Sequence, residues 1–431
     1  LSSTSLADWV ASRVREPRVA MRTLGCKVNQ AEAESIAAEL LGRGVEIVDE
    51  EDAEIVIVTT CTVTGEADRK ARKAVRHALR LPAEPMVVVT GCLAAIDGAE
   101  LAAFGDRVVV EADKSAVAAR VGALVKRTRR GKGPAVRAGA AFHTRAMVKV
   151  QDGCDAFCAY CIVPHARGVP TSVPHAQVLA EVERLVSAGV AEVVLTGINI
   201  GRYDDDGLRL PDLLRAVAAT GVRRVRVSSI EPEDVTEAFV EAAAETPAFC
   251  RHLHVPLQSG CDRTLAAMGR RYDTAGFAEM LARARARLPG LAVTTDVLVG
   301  FPGETDVDFA QTLTFVRECF FTRLHVFRYS VRAGTRAAAL PGRVPPEILA
   351  TRAAAMRHLD AACRRAFSAS MVGETAELLV ERIIESPEGP MAVGTTREYL
   401  HVSAPGAGRT VGEVAEVRIA AMEGGRLLAR W

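Results

Sequence analysis

Between residues 147 and 327 the sequence alternates short apolar runs with helix-forming stretches, and that rhythm restricts the fold more than any other feature. Strand-length runs occur at 147–151, 192–196, 224–228, 252–255, 292–298 and 324–327. Helices are expected between them at 176–188, 210–220, 233–245, 274–288 and 304–318. Strand–helix alternation implies parallel strands covered by helices. Six such units suit a partial (β/α)6 barrel rather than a closed eight-fold one. Each strand leads into a distinctive loop, at 152–161, 197–201, 229–232, 256–261, 300–304 and 328–335. Barrel enzymes build their sites at that rim.

The first rim loop holds Cys154, Cys158 and Cys161 in a C-x3-C-x2-C spacing. Thiolates this close on one loop suit an iron–sulfur cluster, which four cysteines normally hold. Three leave one iron with an open position, as catalytic metal sites leave room for substrate. S-adenosylmethionine suits that vacancy, because its amino and carboxylate groups can chelate iron and set its sulfonium against an electron donor. The competing reading is a structural zinc knuckle short of one ligand.

A second triplet is dispersed but follows one rule of placement. Cys26, Cys61 and Cys92 end the runs that begin at Arg18, Ile55 and Met86. The last two runs are β-branched and the first is weaker; all read as buried parallel strands. Each cysteine thus falls past the carboxyl end of a strand, where open α/β sheets place ligand sites. With helices expected at 30–43, 66–81 and 115–126 and a further strand at 107–110, residues 18–126 read as a parallel-sheet domain. Cys250, Cys261, Cys319 and Cys363 show no pattern and read as structural.

Hydrophobic residues make up 49% of the chain and charged ones 25%, which admits ample globular cores and excludes a disordered chain. No stretch resembles a membrane span, and residues 1–17 lack the apolar run of a signal peptide. Clustered thiols without a disulfide-scaffold composition point to metal in a reducing compartment, so a cytoplasmic protein with no membrane partner is expected. The net charge of +1 announces no nucleic-acid partner, but the local pattern does. Arg69, Arg72, Lys73, Arg76 and Arg80 recur at helical spacing as one basic stripe, and 126–132 forms a second cluster. Solvated surface is the plainer reading of either. The stretch 127–140 marks a boundary, 344–370 reads as a helix, and 375–384, 391–402 and 411–419 read as extended segments. A short all-β module after an enzyme core resembles small barrels that bind nucleic acid, or serves as a structural cap.

Together these features resemble the radical S-adenosylmethionine methylthiotransferases over nearly the whole chain. The resemblance implies an auxiliary-cluster domain at 18–126, a radical barrel at 141–343, a helical connector at 344–370 and a TRAM domain at 372–431. Thr23-Leu24-Gly25-Cys26-Lys27-Val28-Asn29-Gln30, the stretch from Cys61 to Lys70, Gln151-Asp152-Gly153-Cys154 and Leu257-Gln258-Ser259-Gly260-Cys261-Asp262 are similar to the branch acting on N6-threonylcarbamoyladenosine in tRNA. One departure stands out. Arg167-Gly168 is followed by Val169-Pro170-Thr171-Ser172-Val173, without two cations the family usually carries there.

The implied chemistry is methylthiolation of carbon 2 of the adenine, with two [4Fe–4S] clusters and S-adenosylmethionine as co-substrate. The cluster at Cys154, Cys158 and Cys161 would generate the radical, and the one at Cys26, Cys61 and Cys92 would carry the sulfur. An electron donor and a sulfur source are implied but not identified. Tyr160 is expected to pack against the adenine of S-adenosylmethionine or in the core, and Gly197 to admit its methionyl group or make a plain turn. Glu231 is expected as a ribose ligand or a helix N-terminal charge. Gln258, Ser259 and Asp296 are expected as polar lining, Arg332 as a carboxylate or phosphate ligand, and 300–303 as a possible tight turn. Rival readings are a methylthiotransferase for isopentenyladenosine or for a ribosomal-protein aspartate, and a zinc-stabilised RNA-binding protein without turnover.

Overall fold

The structure, a computed structural model, describes residues 17–125, 144–387 and 389–431. The expected boundary at 127–140 and the basic cluster at 126–132 lie outside the described residues. The chain falls into two compact units, and His165–Arg167 counts with the first.

The first unit holds five parallel strands: β1 (Arg18–Thr23), β2 (Glu46–Ile47), β3 (Ile55–Thr60), β4 (Met86–Gly91) and β5 (Val108–Val110), in the order β2-β1-β3-β4-β5. Because strand side chains alternate, each face buries its own set. Val56, Val58, Val87 and Val89 pack with Ala71, Ala74, Val75 and Ala78 of helix Gly65–Ala78. Ile55, Ile57 and Val88 pack on the other face with Ile36, Leu40, Val117 and Val121. The central strands β1, β3 and β4 are neighbours, with Thr23 opposite Thr59 and Thr59 opposite Thr90. The three strand-end cysteines therefore leave one edge of the sheet side by side, as their placement in the sequence implied.

The second unit opens with six parallel strands, Arg145–Lys149, Glu192–Thr196, Arg224–Val227, His252–His254, Ala292–Val299 and Arg323–Arg328. They form two three-stranded sheets joined by the parallel bridges Val225 to Phe249 and Ser229 to His254. The six-strand partial barrel stands, with each strand within a few residues of its expected span. Helix Pro346–Ser370 follows, tied to the barrel by Asp360, which accepts from the Leu324 amide at 2.8 Å.

The tail closes into a five-stranded barrel in the order Thr375–Ile384, Met391–Thr396, His401–Pro405, Arg426–Arg430, Val414–Glu423. The segment read as one strand over 391–402 is in fact two strands that turn at Tyr399, whose φ is +69°. This module docks on the amino ends of the barrel strands. Arg224 donates to Thr395 O at 3.2 Å, and Arg226 donates to Thr396 O and Arg397 O at 3.2 and 3.1 Å. Both guanidiniums pair with the fully buried Glu192, at 2.8 and 2.9 Å. Arg226 also stacks 4.7 Å over the Tyr399 ring. The cysteine loop follows the opposite, carboxyl end of the first strand, so the module and that loop sit at different ends of the barrel.

Candidate cluster sites and substrate surface

Each of the three loops in the first unit is set by a local device. Gly25 has φ +110°, and a Cβ there would fall 2.6 Å from Cys61 Cβ and 3.1 Å from its Sγ, so the Cys26 and Cys61 loops touch at a point only glycine fits. Gly91, φ +94°, leads directly into helix Cys92–Ala102, and a Cβ there would fall 2.4 Å from Thr60 O. Asn29 Nδ2 donates to Leu24 O and Thr60 O at 2.7 and 2.9 Å. Thr60 Oγ1 donates to Thr90 O at 2.6 Å, which completes a lattice across the three loops.

Cys26 is exposed, whereas Cys61 and Cys92 are buried. Burial pushes the Cys61 thiol up to about 11, and the nearby Cys26 and Cys92 sulfurs push the same way. Burial also raises Cys92, while the Arg167 guanidinium opposes it. The three cysteines follow the carboxyl ends of the adjacent strands β1, β3 and β4. Among the described residues no three His, Cys, Asp or Glu side chains gather tightly enough for a single metal ion. A cluster of several irons spans wider gaps, and the charge of bound iron deprotonates the thiols it meets. The donor set fits an iron–sulfur cluster.

Arg167 is a residue the sequence reading did not single out. Its Nε donates to Cys92 Sγ at 3.1 Å, and its other nitrogens grip Glu32 at 3.0 and 3.1 Å and Asn29 Oδ1 at 2.6 Å. Its side chain is 1% exposed, so this is a fully desolvated, charge-assisted contact. Lys114 pairs with the same Glu32 at 2.9 Å.

In the second unit the Cys154 loop is held by Gln151, which donates to Asp152 O and Gly153 O and accepts from the Asn199 amide at 2.8 Å. A Cβ at Gly197 would lie 2.9 Å from Gln151 Oε1, so that glycine makes room for Gln151 itself. Cys161 is pushed up to about 12 by burial, with Cys158 and Cys154 adding to it. Burial also raises Cys154, against hydrogen bonds from Ala156 N and from Asn199. Asn199 Nδ2 lies 3.9 Å from Cys154 Sγ, and its buried Oδ1 lacks a hydrogen-bond partner, an acceptor that a chelating amine would satisfy.

Several expected ligands turn out to have protein partners. Glu231 pairs with Arg270, whose Nη1 donates to Cys158 Sγ at 3.2 Å. Burial raises the Glu231 carboxyl, against the pull of Arg270. Asp296 pairs with His254 Nε2 at 3.1 Å, and His254 lies 5.3 Å from His325, ring to ring. Asp296 shares a strand face with Leu298, which packs in the apolar cluster against Tyr160. Tyr160 is therefore partly committed to core contacts. Ser259 is not lining: it is 1% exposed and bonds Thr312 Oγ1 at 3.1 Å in the helix behind it. Gln258 sits at φ +65° with its backbone paired to Asp296 and Leu298. Arg332 is 8% exposed in the last rim loop. The 300–303 segment is a tight turn, with Gly300 and Gly303 at φ +76° and +81° and the Gly300 amide bonded to Glu304.

The residues of the expected basic stripe differ in their surroundings. Arg72 turns to helix Cys92–Ala102 and bonds Glu100 at 2.9 and 2.8 Å and Asp97 at 3.0 Å. Its pairing raises its pKa further, with the Glu100 bond the largest cause. Arg69 pairs with Glu66, and Arg76 lies 4.5 Å over the Phe104 ring. Lys73 and Arg76 remain exposed on that helix, which ends at Ala78 rather than at 81, and Arg80 is exposed just past its end.

Comparison with known proteins accords with this geometry. The radical SAM superfamily matches residues 148–316, and an uncharacterized protein family, UPF0004, matches residues 18–111. The threonylcarbamoyladenosine tRNA methylthiotransferase MtaB of Bacillus subtilis is 35% identical over 420 residues, covering 93% of each chain. The tRNA-2-methylthio-N(6)-dimethylallyladenosine synthase of Sphingopyxis alaskensis is 32% identical over 420 residues, covering 93% of this chain and 94% of that one. In fold, the chain is similar to the radical S-adenosylmethionine methyltransferase TsrM of Kitasatospora setae. That match has a TM-score of 0.56 and 15% identity and covers 75% of this chain and 77% of that one.

Proposed function

The chain belongs to the radical S-adenosylmethionine methylthiotransferases that act on tRNA, and from that membership we propose that it adds a methylthio group to carbon 2 of N6-threonylcarbamoyladenosine. As a member it is an enzyme that uses S-adenosylmethionine and a [4Fe–4S] cluster. We assign that cluster to Cys154, Cys158 and Cys161, and a second one to Cys26, Cys61 and Cys92. The observation that carries the second assignment is the arrival of three cysteines from the adjacent strands β1, β3 and β4 at one sheet edge.

A cluster held by Cys154, Cys158 and Cys161 would supply one-electron reduction of S-adenosylmethionine, and one held by Cys26, Cys61 and Cys92 would supply an iron site for sulfur. The protein's own part is positional. Gln151 fixes the start of the cysteine loop, and Asn199 offers Oδ1 beside Cys154. Glu231, held by Arg270, keeps a carboxylate at the rim. Gly25, Asn29 and Thr60 hold the auxiliary loops together. Phosphates of the tRNA would meet Lys73, Arg76 and Arg80. No described helix is long and apolar enough to cross a membrane.

The choice of threonylcarbamoyladenosine rests on the sequence around Cys26 and Cys61 and on the relatives that carry that name. Mass spectrometry of tRNA nucleosides from a deletion strain tests it. Loss of 2-methylthio-N6-threonylcarbamoyladenosine is expected, with the unthiolated nucleoside accumulating. Loss of the isopentenyl counterpart instead would move the enzyme to the other branch.

A further inference from the structure

The two cysteine triplets differ in origin, one from a single loop and one from three strands, yet each has the same companion. In the second unit Arg270, its side chain 5% exposed, donates Nη1 to Cys158 Sγ at 3.2 Å and pairs through Nη2 with Glu231. Its Nε donates to Tyr272 OH at 3.0 Å, and that hydroxyl is anchored on Pro256 O and Leu257 O. In the first unit Arg167 donates Nε to Cys92 Sγ at 3.1 Å and grips Glu32 with both terminal nitrogens. A planar guanidinium can serve a sulfur and a carboxylate at once, which a lysine ammonium does with less fixed geometry. Burying an arginine against a thiol has no packing advantage over a leucine and carries a desolvation cost that the glutamate partly offsets. The arrangement makes sense if the sulfur carries negative charge.

Resting on the assignment of both triplets as cluster ligands, we propose that Arg270 and Arg167 are positioning residues that set the electron affinity of the iron each triplet holds. The potential of an iron–sulfur cluster follows its net charge and the hydrogen bonds to its sulfurs. An N–H on a ligand sulfur stabilises the cluster after it takes up one electron, and so raises its potential. The paired glutamate works in the opposite sense, limiting how much positive charge the sulfur feels. Each triplet thus has a two-residue device whose members pull in opposite directions.

That opposition supplies the test. Full-length protein is reconstituted anaerobically with iron and sulfide in two backgrounds. Cys26/Cys61/Cys92→Ala isolates the radical site, and Cys154/Cys158/Cys161→Ala isolates the auxiliary one. Potentiometric titration followed by electron paramagnetic resonance, with dithionite as the one-electron reductant, then reads each site. In the first background Arg270→Gln should keep its iron and lower the ratio of reduced to oxidised cluster about tenfold at fixed potential, equivalent to about 59 mV for one electron. Glu231→Gln should shift the ratio upward. In the second background Arg167→Gln and Glu32→Gln should behave as the same opposed pair. Shifts of one sign in both members of a pair, or none with iron retained, overturn the proposal. If Arg270→Gln loses iron, Arg270→Lys must restore both the cluster and an intermediate potential; failure to do so makes the residue structural and overturns it too. A parent protein that takes up no iron at a triplet refutes the ligand assignment itself, a result separable from either outcome.

Discussion

Asn29, in the first turn of the helix that follows Cys26, donates its side-chain amide to the carbonyl of Thr60, 2.9 Å away at the start of the Cys61 loop. The same nitrogen reaches Leu24 O at 2.7 Å, and Asn29 Oδ1 accepts from Arg167 at 2.6 Å. One buried side chain thereby couples two cysteine loops and the arginine on the third. Asn29→Ala should cost about 1–3 kcal/mol for each buried group left unpaired. Iron bound at Cys26, Cys61 and Cys92 should fall, while iron at Cys154, Cys158 and Cys161 stays. Iron and sulfide analysis in the two single-triplet backgrounds checks this, and equal losses at both sites would contradict it.

Gly25 offers a steric test of the same junction. Gly25→Ala adds a methyl 2.6 Å from Cys61 Cβ at a left-handed φ of +110°. Gly105→Ala in the same unit carries positive-φ strain with nothing within 4 Å. Both should lose stability, by about 1–3 kcal/mol of backbone strain. Only the first should also lose auxiliary iron. Thermal melts paired with iron content separate the two effects.

The docking of the terminal barrel should depend on pH through Glu192. Burial alone would raise this carboxyl, but Arg226, Arg224 and Arg145 together hold it below the usual carboxylate range. A depressed carboxylate contributes stability that is fully present above its unfolded pKa, roughly 4.3, and that is lost as the pH falls through its folded value. Glu192→Gln strands two buried guanidiniums and should cost about 3–5 kcal/mol at pH 7. Its deficit should shrink as the pH drops below about 4, where the unfolded parent takes up the proton first and the folded parent loses the charge only at lower pH. Melting curves at pH 7 and pH 3.5 read this, and a constant gap would count against the pairing.

Binding of tRNA should separate Arg72 from the rest of its stripe. Lys73, Arg76 and Arg80 are exposed, whereas Arg72 is spent on Asp97 and Glu100. Changing the three exposed residues to Gln should flatten the dependence of log affinity on log salt by up to roughly one unit per lost phosphate contact. Arg72→Gln should leave the slope unchanged. Titrations at several salt concentrations decide between them.

What could be read in the sequence followed from what is local. Ile55–Thr60 and Met86–Gly91 are β-branched runs buried on both faces, and their type and ends were plain. The cysteines after them were legible because a strand end is a topological position. Helix Cys92–Ala102 was not anticipated: it starts directly on a strand without a capping side chain and is interrupted at Asp97. The turn between Met391–Thr396 and His401–Pro405 runs Arg397-Glu398-Tyr399-Leu400, with no glycine, proline or asparagine to mark it. The sulfur contacts of Arg167 and Arg270 were invisible for another reason. Their sulfur partners lie 75 and 112 residues away, and a long side chain's reach leaves no periodic trace. Ser259 had the polarity of a lining residue, yet in the loop after Gln258, whose φ is +65°, it is buried against Thr312.

Division of labour between the triplets is the central claim, and one variant tests it most directly. Cys26, Cys61 and Cys92 are replaced together by alanine, and the reconstituted protein is given S-adenosylmethionine, a reductant, a sulfide source and tRNA bearing N6-threonylcarbamoyladenosine. Mass spectrometry then follows 5′-deoxyadenosine and the tRNA nucleosides in one reaction. The account predicts that 5′-deoxyadenosine still forms and that no methylthio nucleoside appears. Methylthio product at the parent level would show that these cysteines are structural and that sulfur is delivered from elsewhere.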